Sequence, residues 1–140
     1  MLVSLLYVSR AVGPQTTSVT SSILSTARGS NPVHGITGAL FQGQGLYLQV
    51  IEGERSAVNR LYACILGDKR HTAVEILSME EITARRFDKW SMAHVILSDL
   101  DPMVRMKHPE FDPYSASAKD AALMLEDFIA SGVKVITPVL

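Results

Sequence analysis

The stretch from Gly35 to Gly53, GITGALFQGQGLYLQVIEG, reads as two strands joined by a tight turn. Ile36, Gly38 and Leu40 alternate with Thr37, Ala39 and Phe41, and Gln42-Gly43-Gln44-Gly45 supplies the turn glycines. On the second strand Tyr47, Gln49 and Ile51 share one face, while Leu46, Leu48 and Val50 share the other. Gln49 is the odd member, a neutral amide between Leu48 and Val50. Burying an unpaired amide costs about 2 kcal/mol or more, so a buried Gln needs a partner that justifies it.

The elements around this hairpin limit where such a partner can lie. Leu2 to Ser9 is a nearly continuous apolar run, the pattern of a strand covered on both faces, with Tyr7 on the same side as Val3 and Leu5. After Gly13-Pro14, the segment from Gln15 to Arg28 carries Val19, Ile23, Leu24 and Ala27 at helical spacing, with Gly29 placed as its stop. A clearer helix begins at Ser56, where Val58, Leu61, Tyr62, Ile65 and Leu66 form one stripe and Gly67 ends it. The charged loop Asp68-Lys69-Arg70-His71 leads to a strand from Ala73 to Met79, and a polar crossing precedes a last core strand from Met92 to Leu97. Strand, helix, strand, strand, helix, strand, strand is the split βαβ order of an α+β, ferredoxin-like sheet with both helices on one face.

Beyond Asp99 the texture changes. Pro102, Pro109 and Pro113 punctuate a linker, and Ser117-Ala118-Lys119-Asp120 resembles a capping box with Asp in the place of Glu. The helix it opens carries Ala121, Leu125, Phe128 and Ile129 as a stripe, and the tail from Val133 to Leu140 is apolar and β-branched, able to add a strand. The expected division is therefore a domain over 1–98 and a linker, helix and apolar tail over 99–140.

Length and composition narrow the function classes. A chain of 140 residues is one domain by size, without room for a separate output domain. Hydrophobic residues make up 47% and charged residues 19%, on the apolar side, which points to a self-association surface and a homo-oligomer. A formal net charge of −1 recommends neither nucleic acid nor an anionic membrane as a partner. Cys64 is the single cysteine, too few for a disulfide framework, and no apolar run reaches the length of a membrane span. The start, MLVSLLYV, lacks the charged region and cleavage site of a signal peptide, so the expected location is cytoplasmic.

The chemistry-bearing residues are few. There is no nucleophile elbow and no Gly-rich phosphate loop, and His34, His71, His94 and His108 lack paired-ligand spacing, so no metal is expected. Asp68, Arg70 and His71 are a solvated loop or a site that meets an anionic ligand. Taken singly, Tyr7 reads first as a core aromatic, Gln49 as an amide satisfied by backbone, Asn31 as a turn residue before Pro32, Trp90 as a core filler and Met92 as a plastic one. Taken alone, the residues stop at a small α+β module that binds something apolar with polar edges.

The combination LLYVSR, N-x-x-x-GITGAL, LQVIEG, D-x-RH and RRF-x-x-WSM closely resembles the BLUF family, the blue-light sensors that use flavin, collinearly from about Leu2 to Leu97. The resemblance implies FAD held non-covalently between the two helices, with its ring over the sheet. It implies that Tyr7 and Gln49 act together on the flavin, that Asn31 bonds its carbonyl side, and that Asp68, Arg70 and His71 lie near its ribityl and phosphate groups. It implies that Ile23 and Ile65 sandwich the ring, and that Trp90 and Met92 set the orientation of Gln49. Ser30 and Pro32 around Asn31, and Cys64 on the second helix, depart from the family's commonest pattern. The expected function is a blue-light photoreceptor, not an enzyme, that signals through an unidentified downstream effector protein or a change of oligomer. The alternative is a light-insensitive ferredoxin-like module binding a ligand or protein, and a third is a small acylphosphatase-like enzyme without a recognisable phosphate loop.

Overall fold

A computed structural model describes residues 1–88, 92–96, 112–131 and 134–135. In chain order the elements are β1 (Leu2–Ala11), α1 (Thr17–Ser30), β2 (Thr37–Gly43), β3 (Leu46–Glu54), α2 (Arg55–Leu66), β4 (His71–Glu81), β5 (Ala93–Ile96), a 3₁₀ turn (Pro113–Ser115), α3 (Ala118–Ser131) and β6 (Lys134–Val135). The strands form one sheet in the order β4-β1-β3-β2-β5-β6. All pairings are antiparallel except β2 with β5. This is the expected α+β ferredoxin-like arrangement with added strands.

The hairpin forms as its glycines require. Gln44 and Gly45 both take positive φ, 54° and 75°, the two-residue turn whose twist matches that of the flanking strands. The ladder then sets Leu40 against Gln49 on one side, while β1 sets Tyr7 directly against Gln49 on the other. Gly38 is there for space, because a Cβ built on it would lie 2.1 Å from the carbonyl oxygen of Val50.

Alternation along the central strands creates two cores. Val3, Leu5, Tyr7, Leu40, Tyr47 and Ile51 face one side, where Leu24 of α1 and Val58 of α2 cover them. Leu6, Val8, Phe41, Leu48, Val50 and Val95 face the other, where Ala121, Met124, Leu125 and Phe128 of α3 cover them. The sheet is a buried layer between helices on both sides, which explains the nearly unbroken apolar run of β1.

Several sequence expectations shift. Gly29 does not stop α1; the helix runs through it to Ser30, and the amide of Asn31 closes it on Ala27 O at 2.7 Å. Its start is capped by Thr16, whose Oγ1 accepts from Val19 N at 3.2 Å. β4 is longer than predicted and takes in His71, because it follows β1 to its end through two register shifts. The capping role of Ser117 holds, its Oγ accepting from Asp120 N at 3.1 Å. The stripe on α3 is used inside the molecule, against its own sheet. The tail adds its two-residue strand to the edge of β5. Trp90 and Leu97 lie outside the described residues.

Candidate functional site

β1 and β3 place Tyr7 and Gln49 opposite each other on the face toward α1 and α2, 4% and 6% exposed. The Tyr7 hydroxyl donates to Gln49 Oε1, and Gln49 Nε2 donates to Met92 Sδ at 3.4 Å. The amide that was anomalous in the sequence is thereby engaged at both ends, by a phenol on the preceding register partner and a thioether at the entry to β5. Burial pushes the Tyr7 phenol well above its ordinary pKa, and the Asp68 carboxylate adds to the effect. Tyr7 thus stays a neutral donor at physiological pH.

Above this pair lies a cavity of about 770 Å³ between α1 and α2, within the range typical of cofactor sites. Tyr7, Ile23, Asn31, Gln49, Ile65, Asp68, Arg70 and His71, all singled out from the sequence, line it. Met92 reaches it through Gln49. Asn31 sits where α1 exits, 2% exposed, its carbonyl accepting from His34 N at 3.1 Å and Ile36 N at 2.9 Å. That turn presents its side chain at the cavity wall.

The charged end of the cavity is tightly organised. Arg70 Nη2 meets Asp68 Oδ2 at 2.5 Å, and Nη1 reaches across to Ser22 Oγ on α1 at 2.9 Å. The hydrogen bonds from Arg70 hold the Asp68 carboxyl below its usual range, and Asp68 in turn raises Arg70. His71 Nε2 lies 2.6 Å from Ile65 O and Nδ1 lies 2.7 Å from Ser9 Oγ. A carbonyl only accepts, so Nε2 carries a hydrogen, and in the neutral ring Nδ1 takes the hydroxyl's. The ring packs edge-on to Tyr7, centroids 6.2 Å apart. His71 therefore pins the end of α2 to β1 beneath the cavity.

The sequence reading missed Leu40, Leu61, Ala27 and Tyr47 as lining residues. Their periodicity, the same face as Ile36 or the same stripes as Ile23 and Ile65, could have found all four. Ser22 had no signal, because its partner lies 48 residues away. Tyr47 Oη is buried with no hydrogen-bond partner among the described residues, beside Gln15, whose amide is committed to Leu46 O at 2.7 Å and Gly45 N at 2.9 Å.

Aliphatic walls from both helices, an amide–phenol pair on the floor and one charged end suit a planar heteroaromatic ring with polar edges and an anionic extension. FAD has that chemistry, and the residues present fit it.

Comparison with known proteins agrees. Residues 2–93 match the family described as BLUF, sensors of blue light using FAD. A photoactivated adenylate cyclase subunit beta of Euglena gracilis is 33% identical over 133 residues, 94% of this chain but 15% of that protein's length. The dark-state structure of BlrB, a BLUF protein, superposes with a TM-score of 0.77 at 34% identity, covering 92% of this chain and 95% of that one. The BlsA ground state gives 0.84 at 26% identity, covering 98% and 91%. Fold, cavity and family match converge, and the chain belongs to the BLUF family: it is a blue-light photoreceptor that uses FAD.

Proposed function

We propose that Tyr7 and Gln49 are the photoactive pair of this sensor and that light is registered as a rearrangement of the hydrogen bonds around Gln49. The observation that carries this is the register pairing of the two residues, with the Tyr7 hydroxyl on Gln49 Oε1 at the cavity floor. When bound, FAD supplies a light-excited ring able to take up an electron and a proton. Tyr7, a buried neutral phenol, is the group placed to give both up. Gln49 has a donor and an acceptor on one planar group, so rotation or tautomerisation of the amide exchanges what it offers to Tyr7 and Met92. Exchange of one buried hydrogen bond, about 1 kcal/mol or more, suffices to bias a two-state element.

In this reading Ile23 and Ile65 sandwich the ring, Asn31 bonds its carbonyl side, and Asp68, Arg70 and His71 organise the ribityl and phosphate end. Met92 and Trp90 set the amide's orientation. Residues 1–98 form the flavin-binding domain, and 99–140 supply the linker, helix and tail that receive the change. The family match and the relatives support a sensing rather than a catalytic role: a photoactivated adenylate cyclase subunit carries its BLUF-like part in a much longer chain. The output here passes to a partner protein or to a change of self-assembly, in the cytoplasm. Among the described residues no helix is long and apolar enough to cross a membrane.

The test is spectroscopic. Incubated with FAD, the protein should show a bound-flavin spectrum whose main band shifts under blue light and returns in the dark. Absence of bound flavin would remove this reading and favour a light-insensitive binding module.

A further inference from the structure

Glu52 is a carboxylate buried in the sheet, 1% exposed, and the light chemistry above makes no use of it. It lies on β3 three residues past Gln49, hence about 10 Å along the strand and on the opposite face. Its oxygens accept from the Thr37 hydroxyl at 2.9 Å, from Arg86 N at 2.9 Å and from Phe87 N at 2.6 Å. Arg85 closes the cluster from outside, donating to Thr37 Oγ1 at 3.0 Å and to the Glu52 carbonyl at 3.1 Å.

Two of those donors are backbone amides of the segment that returns the chain to β5. Its near end is fixed to β3 by Glu52, with Phe87 sunk in the core at 2% exposure. Its far end is fixed by Met92, fully buried against Gln49, and by Ala93 on Ala39 of β2. Thr37 and Ala39 are two residues apart on β2, so both ends attach to the same corner of the sheet. The strap of chain between the two anchors is short, since Phe87 and Met92 are five positions apart in sequence.

We propose that Glu52 is a positioning residue for the photoactive amide: by holding Arg86 and Phe87 it sets where Met92 stands against Gln49. The proposal rests on the role given above to Gln49. In Glu52→Gln one oxygen becomes an NH₂ group facing an N–H or O–H donor, so one anchor turns repulsive while shape and volume persist. Thr37→Val removes one donor from the same cluster and leaves both strap amides bound.

The full chain loaded with FAD is followed through blue-light excitation and dark recovery. Glu52→Gln should recover on the order of five- to tenfold faster than the parent at similar FAD affinity, the scale of one buried hydrogen bond. Thr37→Val should move the rate in the same direction by less, which keeps the test open if Glu52→Gln does not fold. In a Met92→Ala background the Glu52→Gln effect should shrink to less than about twofold, because the path it acts through is gone. Unchanged recovery in both variants, or an equal acceleration with and without Met92, overturns the proposal. A second readout is independent of light: the Met92 methyl resonance in the flavin-free protein should move in Glu52→Gln, and an unmoved resonance overturns the positioning role. A parent protein without a photocycle would instead sink the assignment of Gln49, leaving the methyl result to decide on Glu52.

Discussion

Replacing Tyr7 by Phe removes one hydroxyl from the cavity floor and leaves Gln49 Oε1 without its donor. Replacing Gln49 by Leu does the reverse, stranding the Tyr7 hydroxyl and releasing Met92 Sδ. At 4% and 6% exposure, water restores little of either loss. Each single change should therefore cost about 1.5 kcal/mol, within the range for a buried polar group left unpaired. For a chain of this size that corresponds to a lowering of the midpoint by about 5 °C. The double variant leaves an apolar pair with nothing to satisfy, so it should cost less than the sum of the singles, with a coupling of about 1 kcal/mol. Urea unfolding of the four flavin-free proteins measures this cycle directly. In parallel, both single variants should keep bound FAD while losing the normal light-induced band shift. Additive stabilities would refute the pairing, and a wild-type shift in Gln49→Leu would refute its role in the photocycle.

Other outcomes follow from the same structure. Gly38→Ala should prevent folding or cost more than about 3 kcal/mol, since the added methyl meets the Val50 carbonyl, which is backbone and cannot yield; expression and circular dichroism would show it. The Asp68 carboxyl is held low by Arg70, so the pair's contribution is complete above the unfolded carboxylate's value of about 3.9 and is lost as pH falls below it. Asp68→Asn should accordingly flatten that acid limb of a stability–pH profile. Tyr7 is displaced the other way, so its contribution is complete below the ordinary phenol value of about 10 and is lost as pH rises beyond it. Burial raises all four phenols, Tyr7 the most, so absorbance titration should find one ionising after the other three, and Tyr7→Phe should remove that last step. Tyr114→Phe should cost about 1 kcal/mol in thermal melts, because its hydroxyl holds Ala73 O at 2.7 Å across the β4 irregularity.

The elements that alternate or repeat regularly were legible. Leu46 to Ile51 sorted correctly onto two faces because a strand's period is two, and the α2 stripe was read because Val58, Leu61 and Ile65 recur at helical spacing. What periodicity could not reach was register: that Tyr7 stands opposite Gln49 depends on two strands 42 residues apart, and only the family resemblance joined them. The end of α1 was misjudged because Gly29 is tolerated inside a helix whose exit is organised by Asn31. The α3 stripe was read as a stripe, but helical spacing of apolar residues does not say which surface they will cover. Here they cover the sheet's second face. Glu52 escaped notice altogether, since a carboxylate beside Gly53 in a strand end looks solvated until its donors, 34 and 35 residues onward, are in place.

The position of β1 has a consequence for how the chain is made. Of the strands of this sheet β1 is made before the others, yet it lies between β3 and β4 and needs both. About 70 further residues must leave the ribosome before its second neighbour is complete, which at bacterial or eukaryotic elongation rates is about 4–14 s. Until β3 emerges LVSLLYV is an apolar, strand-forming segment without a partner strand, and until β4 emerges one of its edges stays open. Contacts of such long sequence separation also slow refolding of the finished chain. Expression at low temperature or with a holdase chaperone should therefore raise the yield of this protein more than any single stabilising substitution far from β1.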